Sequence, residues 1–186
     1  MHRDLEKYLE KLSQDKEGFR FPKFCSTFSQ SIDDKLILAI HQDPGNSGPE
    51  ETNECSIHNP DPTAENLREV LKNKNIDVNN ILFWNFFPFF DYKKKKKNKE
   101  ITEEEKKFWA TKCNELINLL PNVKVLLISG NDAWEGIRFL RQEKDIQIIH
   151  SPHPSRRGIN TESRKARFES AWNLAKKKSK NYTRDK

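Results

Sequence analysis

The sequence predicts an α/β fold: a three-layer α/β/α sandwich around a central four-stranded parallel sheet. Three observations predict it. Four short apolar runs, at 36–40, 81–85, 123–129 and 146–149, are bounded by turn residues, as strands buried on both faces are. Segments with helical apolar spacing alternate with these runs, which implies parallel strands joined by helices. Polar segments lie at or just beyond the ends of three runs: His41-Gln42-Asp43-Pro44-Gly45, Trp84-Asn85 and His153-Pro154-Ser155. Open sheets of this kind bind ligands at the carboxyl ends of their strands.

The elements follow in order. A first helix is expected over 3–14, where Leu5, Tyr8, Leu9 and Leu12 form one stripe. Residues 15–34 read as a loop that packs down locally through its Phe side chains. The first strand, 36–40, leads into a long loop, 41–61, rich in Gly, Pro, Asn and Ser. Loops of that length are usually functional or disordered, and this one directly follows a strand. Asp61 and Pro62 suit the N-cap and first position of a helix whose buried face is Ala64, Leu67, Val70 and Leu71. The second strand, 81–85, continues into the aromatic loop 86–90 and the lysine run 93–97. Thr102 and Glu105 have capping-box spacing and open a helix that stops at Pro121, with Trp109, Cys113, Leu116 and Leu120 inward. The third strand, 123–129, precedes a short helix over 132–143 with Ala133, Ile137 and Leu140 on one face. After the fourth strand, 146–149, the loop 150–160 leads to a last helix near 162–177. Its inner face is Phe168, Ala171, Trp172 and Ala175, and the basic tail from 176 is expected to fray.

A chain of 186 residues has the size of one domain, so 1–186 is read as a single unit. The net charge of +6 suits a polyanion such as nucleic acid, or an anionic surface, although a lysine-rich composition alone also produces it. Cys25, Cys55 and Cys113 are odd in number and form no C-x-x-C pair. This argues against a disulfide framework and against a four-cysteine cluster, and for free thiols in a reducing cytoplasm. No signal-like stretch or membrane-length apolar run occurs, so a soluble cytoplasmic monomer without membrane contact is expected.

The expected topology gathers Asp43, Asn85 and His153 at one edge. A carboxylate, an amide and an imidazole suit cleavage of a bond whose leaving group is a hydrogen-bonding heterocycle. Each also has an ordinary reading: Asp43-Pro44-Gly45 as a turn, Asn85 capping its own turn, His153 as a surface residue of a Pro-rich turn. His150 and His153 lack a third ligand at a typical spacing, which discounts zinc. Arg156, Arg157, Arg164, Lys165 and Arg167 cluster where phosphates bind well. Lys93, Lys94 and Lys95 leave the second strand on the same side, although such runs are usually solvated. No G-x-G-x-x-G or P-loop is present.

Together and in order, the three segments resemble the motifs of the uracil-DNA glycosylase superfamily. His41-Gln42-Asp43-Pro44-Gly45 is similar to its first motif, Leu82-Phe83-Trp84-Asn85 to the strand ending in its base-reading asparagine, and His153-Pro154-Ser155-Arg156-Arg157-Gly158 to its second. Asn59-Pro60-Asp61-Pro62-Thr63-Ala64 and Trp84-Asn85-Phe86-Phe87-Pro88-Phe89 further resemble a bacterial branch, and three cysteines are too few for the iron–sulfur branches. The likeness spans roughly 36–175, leaving 176–186 as a basic tail. Two positions depart from the pattern: His41 replaces the usual leading glycine, and Gly45 replaces a tyrosine that in one branch helps exclude thymine.

The resemblance implies a monofunctional DNA repair glycosylase that flips uracil, or a related deaminated base, out of DNA and leaves an abasic site. It implies Asp43 and His153 as catalytic residues. Gln42, Asn85, Ile57 and Phe86 would bind the base, with Cys55 a further candidate to lie against it. Ser155, Arg156, Arg157, Lys93, Lys94 and Lys95 would bind DNA, with Arg157 first and Arg156 second as the wedge and no metal or cofactor required. Two alternatives stay open on the residues: a DNA-binding protein of the same fold with little or no activity, and a glycosylase for hypoxanthine or xanthine.

Overall fold

The computed structural model describes residues 2–26, 31–45, 48–90, 101–141 and 144–180. Its elements are α1 Arg3–Asp15, β1 Lys23–Phe24, β2 Ile37–His41, α2 Gly48–Thr52, β3 Glu54–Cys55, α3 Pro62–Asn73, β4 Ile81–Asn85, α4 Glu103–Leu119, β5 Val125–Ser129, α5 Asn131–Gly136, β6 Gln147–Ser151 and α6 Glu162–Lys180.

The main sheet has the order β4-β2-β5-β6 and every pair in it is parallel. The chain steps from β2 outward to β4, then crosses back over β2 to β5 and on to β6. Crossovers between parallel strands share one hand. Reversing direction after β4 therefore sends α3 to one face of the sheet and α4 and α5 to the other. Two cores result. Alternate strand residues Leu38, Ile40, Leu82, Trp84, Leu126 and Ile128 pack with α1, α4 and α5. The intervening residues Ile37, Ala39, Ile81, Phe83, Val125 and Leu127 pack with α3 and α6, whose Phe168 and Trp172 fill that layer. This is the expected α/β/α sandwich with its four-stranded parallel sheet.

Helix starts obey their local signals. Asp61 accepts the N–H groups of Thr63 and Ala64, and Thr102 and Glu105 close a reciprocal capping box. Gly48 is required by close approach, since a Cβ there would sit 1.9 Å from Asp61 Oδ2.

Several expectations are corrected. The 41–61 loop contains α2 and β3, and β3 pairs in parallel with β1 from the segment read as loop. The helix expected over 132–143 ends at Gly136, followed by a 3-10 turn at Ile137–Phe139. Leu140 then turns extended and packs on the first core. Gly136 lies under the Phe86 ring, where a Cβ would come within 2.2 Å of it. The last helix runs on to Lys180 instead of fraying from 176. Lys176 Nζ donates to the Lys74 carbonyl at 2.6 Å and Ser179 is buried. Among the described residues no helix is long and apolar enough to cross a membrane.

Candidate active site

The direction reversal leaves a crevice between the carboxyl ends of β2 and β5, the place where doubly wound sheets hold ligands. A cleft of about 1030 Å³ opens there. Its floor and walls come from 41–45 at the end of β2, from Cys55, Ser56 and Ile57 at the end of β3, and from the start of α3. Phe83 to Asn85 of β4, Gly130 to Asp132 after β5, and His150 to His153 complete it, with Arg156, Arg157, Arg164 and Arg167 also lining it. Asp43, Asn85 and His153, drawn from three strand ends, thus share one cavity.

Asp43 is held from the side. Gln42 Nε2 donates to Asp43 Oδ1 at 3.2 Å, while Gln42 Oε1 accepts the Asp132 N–H at 3.3 Å. Gln42, expected at the base, therefore also ties the end of β2 to the start of α5 and aims the carboxylate. Gly130 permits this approach. It has φ +103°, and a Cβ there would lie 3.1 Å from Gln42 Oε1.

Asn85 ends β4 in register with His41 and is 4% exposed. Its Nδ2 donates to Cys55 Sγ at 3.0 Å. A thiol sulfur is a weak acceptor, so this bond is exchanged at small cost for a stronger one. Burial pushes the Cys55 thiol well above its usual range, keeping it protonated.

His153 is oriented by its own loop. Its Nδ1 accepts the Ser155 N–H at 3.1 Å, which in a neutral ring places the proton on Nε2. Gly158 closes the turn against the His153 carbonyl, where a Cβ would be 1.9 Å away, and its N–H donates to the Ser155 carbonyl at 2.9 Å. Asn66 of α3 donates to the Pro154 carbonyl at 2.7 Å, anchoring the loop to the scaffold.

Ile57 is buried in the cleft wall. Phe86 is not at the cleft, and its expected base contact is corrected. Side chains alternate along a strand, so Phe86 points to the opposite face from Asn85. There it is 1% exposed and edge-on to Phe87 at 4.8 Å. Phe83, two residues before Asn85, lines the cleft instead; the same alternation points to it. Ser155, Arg156 and Arg157 line the cleft, both arginines exposed. Lys165 lies 3.9 Å from Glu69 and outside the cleft. Lys93, Lys94 and Lys95 lie outside the described residues.

His41 is the unusual member. Its ring lies parallel to Phe83, 8° apart with centroids 6.3 Å apart, and edge-on to His153 at 6.0 Å. Both its nitrogens are buried without a hydrogen-bond partner. Burial, reinforced by His153, pushes its pKa down to about 3. His41 is therefore neutral at working pH. In the unfolded chain it titrates near 6.5, so between pH 6.5 and 3 the unfolded state binds a proton that the fold refuses. Stability must fall as pH drops through that window, by about 2 kcal/mol at pH 5. His41→Phe keeps the flat ring and removes the titration. The variant's stability advantage over the native chain is expected to grow by about 2 kcal/mol between pH 7.5 and pH 5 in denaturant unfolding. An advantage independent of pH would contradict a neutral, buried imidazole.

Among the described residues no group of three or more His, Cys, Asp or Glu side chains is placed to hold a metal ion. What the cleft offers is a carboxylate braced by an amide, an imidazole N–H donor, a second amide at the floor and a guanidinium rim. Residues 30–176 match the family model of the uracil DNA glycosylase superfamily. No curated protein matches the chain.

Proposed function

The chain belongs to the uracil DNA glycosylase superfamily, and on that premise we propose that it hydrolyses the N-glycosidic bond of uracil, or a related deaminated base, in DNA. Members of this superfamily are DNA glycosylases, so the substrate is DNA and the reaction a hydrolysis. The observation that carries the finer reading is the meeting of Asp43, Asn85 and His153 in one cleft with arginines along it.

The target bond is out of reach inside a duplex, so the nucleotide is extruded into the cleft, at an unstacking cost of a few kcal/mol. As the bond breaks, positive charge grows on the sugar and negative charge on the base. Asp43 stabilises the first and orients the attacking water. His153 donates through Nε2 to the base O2, where the second develops. Asn85 releases Cys55 and reads the O4 and N3–H edge. Cytosine presents the opposite donor pattern there and leaves a buried amide mismatched, which is strongly rejected. With water as the nucleophile, the products are an abasic site and a free base.

Arg157 is exposed next to the cleft, and its carbonyl accepts from Arg164 Nη1 at 3.2 Å. It is assigned the gap left by the extruded base. Arg157→Ala is expected to slow single-turnover cleavage of duplex substrate by about tenfold more than that of single-stranded substrate, which needs little unstacking. Equal losses on both would remove the wedge role.

One observation favours a wider base. Gly45 lines the cleft without a side chain, and a Cβ there would only reach ordinary contact with Pro49 Cδ at 3.7 Å. Chromatography of bases released from oligonucleotides carrying uracil, hypoxanthine or xanthine tests the assignment. Uracil release supports the reading above; purine release alone transfers the site to deaminated purines.

A further inference from the structure

Beside the cleft, on the face of the sheet that carries α4 and α5, an aromatic surface is left open. Trp134 of α5 is 39% exposed, whereas Trp84, Trp109 and Trp172 are at most 3% exposed. Its indole lies flat on the imidazole of His150 in β6, with centroids 4.5 Å apart and planes 14° apart. Ile148, 37% exposed, lies two residues before His150 and so on the same strand face, extending the patch along an edge strand. The patch is continuous with the cleft, because His150 lines it and so do Asn131 and Asp132, which begin the helix of Trp134.

The surroundings suit a nucleobase. Burial, with Arg167 adding to it, holds the His150 imidazole below its usual pKa, which favours an uncharged ring under the indole. Asp132 and Glu135 flank Trp134 in sequence, and Glu135 is engaged by Lys106 at 2.8 Å. An open indole face accepts any nucleobase by stacking. The arginines of the cleft are the groups suited to the backbone.

We propose that Trp134, backed by His150, is a second base-binding site: a stacking platform for an unpaired nucleobase of the strand whose target nucleotide enters the cleft. The platform needs no sequence preference, since every base presents a π face. It would hold the flanking strand in place on single-stranded or locally opened DNA. This assignment rests on the reading of DNA as the substrate.

The test uses the full chain, a lesion-free oligo-dT of about 12 nucleotides and an abasic oligonucleotide of equal length. Affinity is read by anisotropy of a labelled strand, and stacking by quenching of the long-wavelength tryptophan emission. That emission belongs to Trp134, the other three indoles being buried. The expected result is that oligo-dT quenches this emission and the abasic strand does not. Trp134→Ala is expected to weaken oligo-dT binding by about fivefold or more and leave abasic binding unchanged, while Trp134→Phe retains most of the affinity. Binding of oligo-dT without quenching, and unaltered in Trp134→Ala, would overturn the platform and leave the DNA reading intact. Absence of binding by either strand would overturn both. A blue shift that grows with protein concentration, without response to DNA, would assign the patch to a second copy of the chain and overturn the proposal.

Discussion

Replacing Asp43 with asparagine is expected to lower single-turnover cleavage of a uracil oligonucleotide by about a hundredfold to a thousandfold. Affinity for the same oligonucleotide is expected to stay within about threefold. The substitution is nearly isosteric, and an asparagine oxygen can still accept the Gln42 Nε2–H that braces Asp43 Oδ1. What it removes is the negative charge. That charge matters little in the ground state, where the sugar is neutral, and greatly in the transition state, where the sugar approaches a cation. A change that weakens binding and leaves the rate untouched would mean that Asp43 holds DNA and does no chemistry.

His153→Ala is expected to cost a similar factor, about a hundredfold to a thousandfold, for the complementary reason. The Ser155 N–H on Nδ1 commits the ring to one tautomer before the substrate arrives. Its Nε2–H is then the donor for the charge that collects on the base O2. Alanine removes the donor and leaves the Ser155 N–H without its acceptor. His153→Gln restores an N–H donor of similar reach and is expected to recover part of the rate. Single-turnover rates of the three proteins decide it. An alanine variant as fast as the native chain would exclude the imidazole from the reaction.

The two roles divide the separating charges between side chains from opposite ends of the chain, and only the strand order brings them together. That order was legible for a physical reason. Strands buried on both faces are continuous apolar runs, and the polar residues that interrupt them mark strand ends. Asp43, Asn85 and His153 are thus placed at one edge by the sequence pattern alone. The place of Phe86 is hidden because a run of aromatic residues masks the two-residue alternation of a strand, which puts Phe83 and not Phe86 on the face of Asn85. The pairing of β1 with β3 was invisible because two-residue strands have no period to detect. The bridge from Gln42 to the backbone of Asp132, 90 residues along the chain, depends on the approach that Gly130 allows, and no local pattern encodes it. His41 was visible as a departure from the family pattern. Its buried, unpartnered nitrogens and its stacking on Phe83 emerge only from the packing of β2 against β4.

The central claim is that this cleft hydrolyses an N-glycosidic bond through Asp43. It is tested most directly with an end-labelled oligonucleotide carrying one uracil, presented single-stranded, opposite G and opposite A, and treated with alkali after incubation. The native chain is expected to give a single alkali-dependent scission at the uracil and to release free uracil, with Asp43→Asn giving neither under the same conditions. Intact DNA from the native chain on all three substrates, or scission of equal strength with Asp43→Asn, would contradict the account.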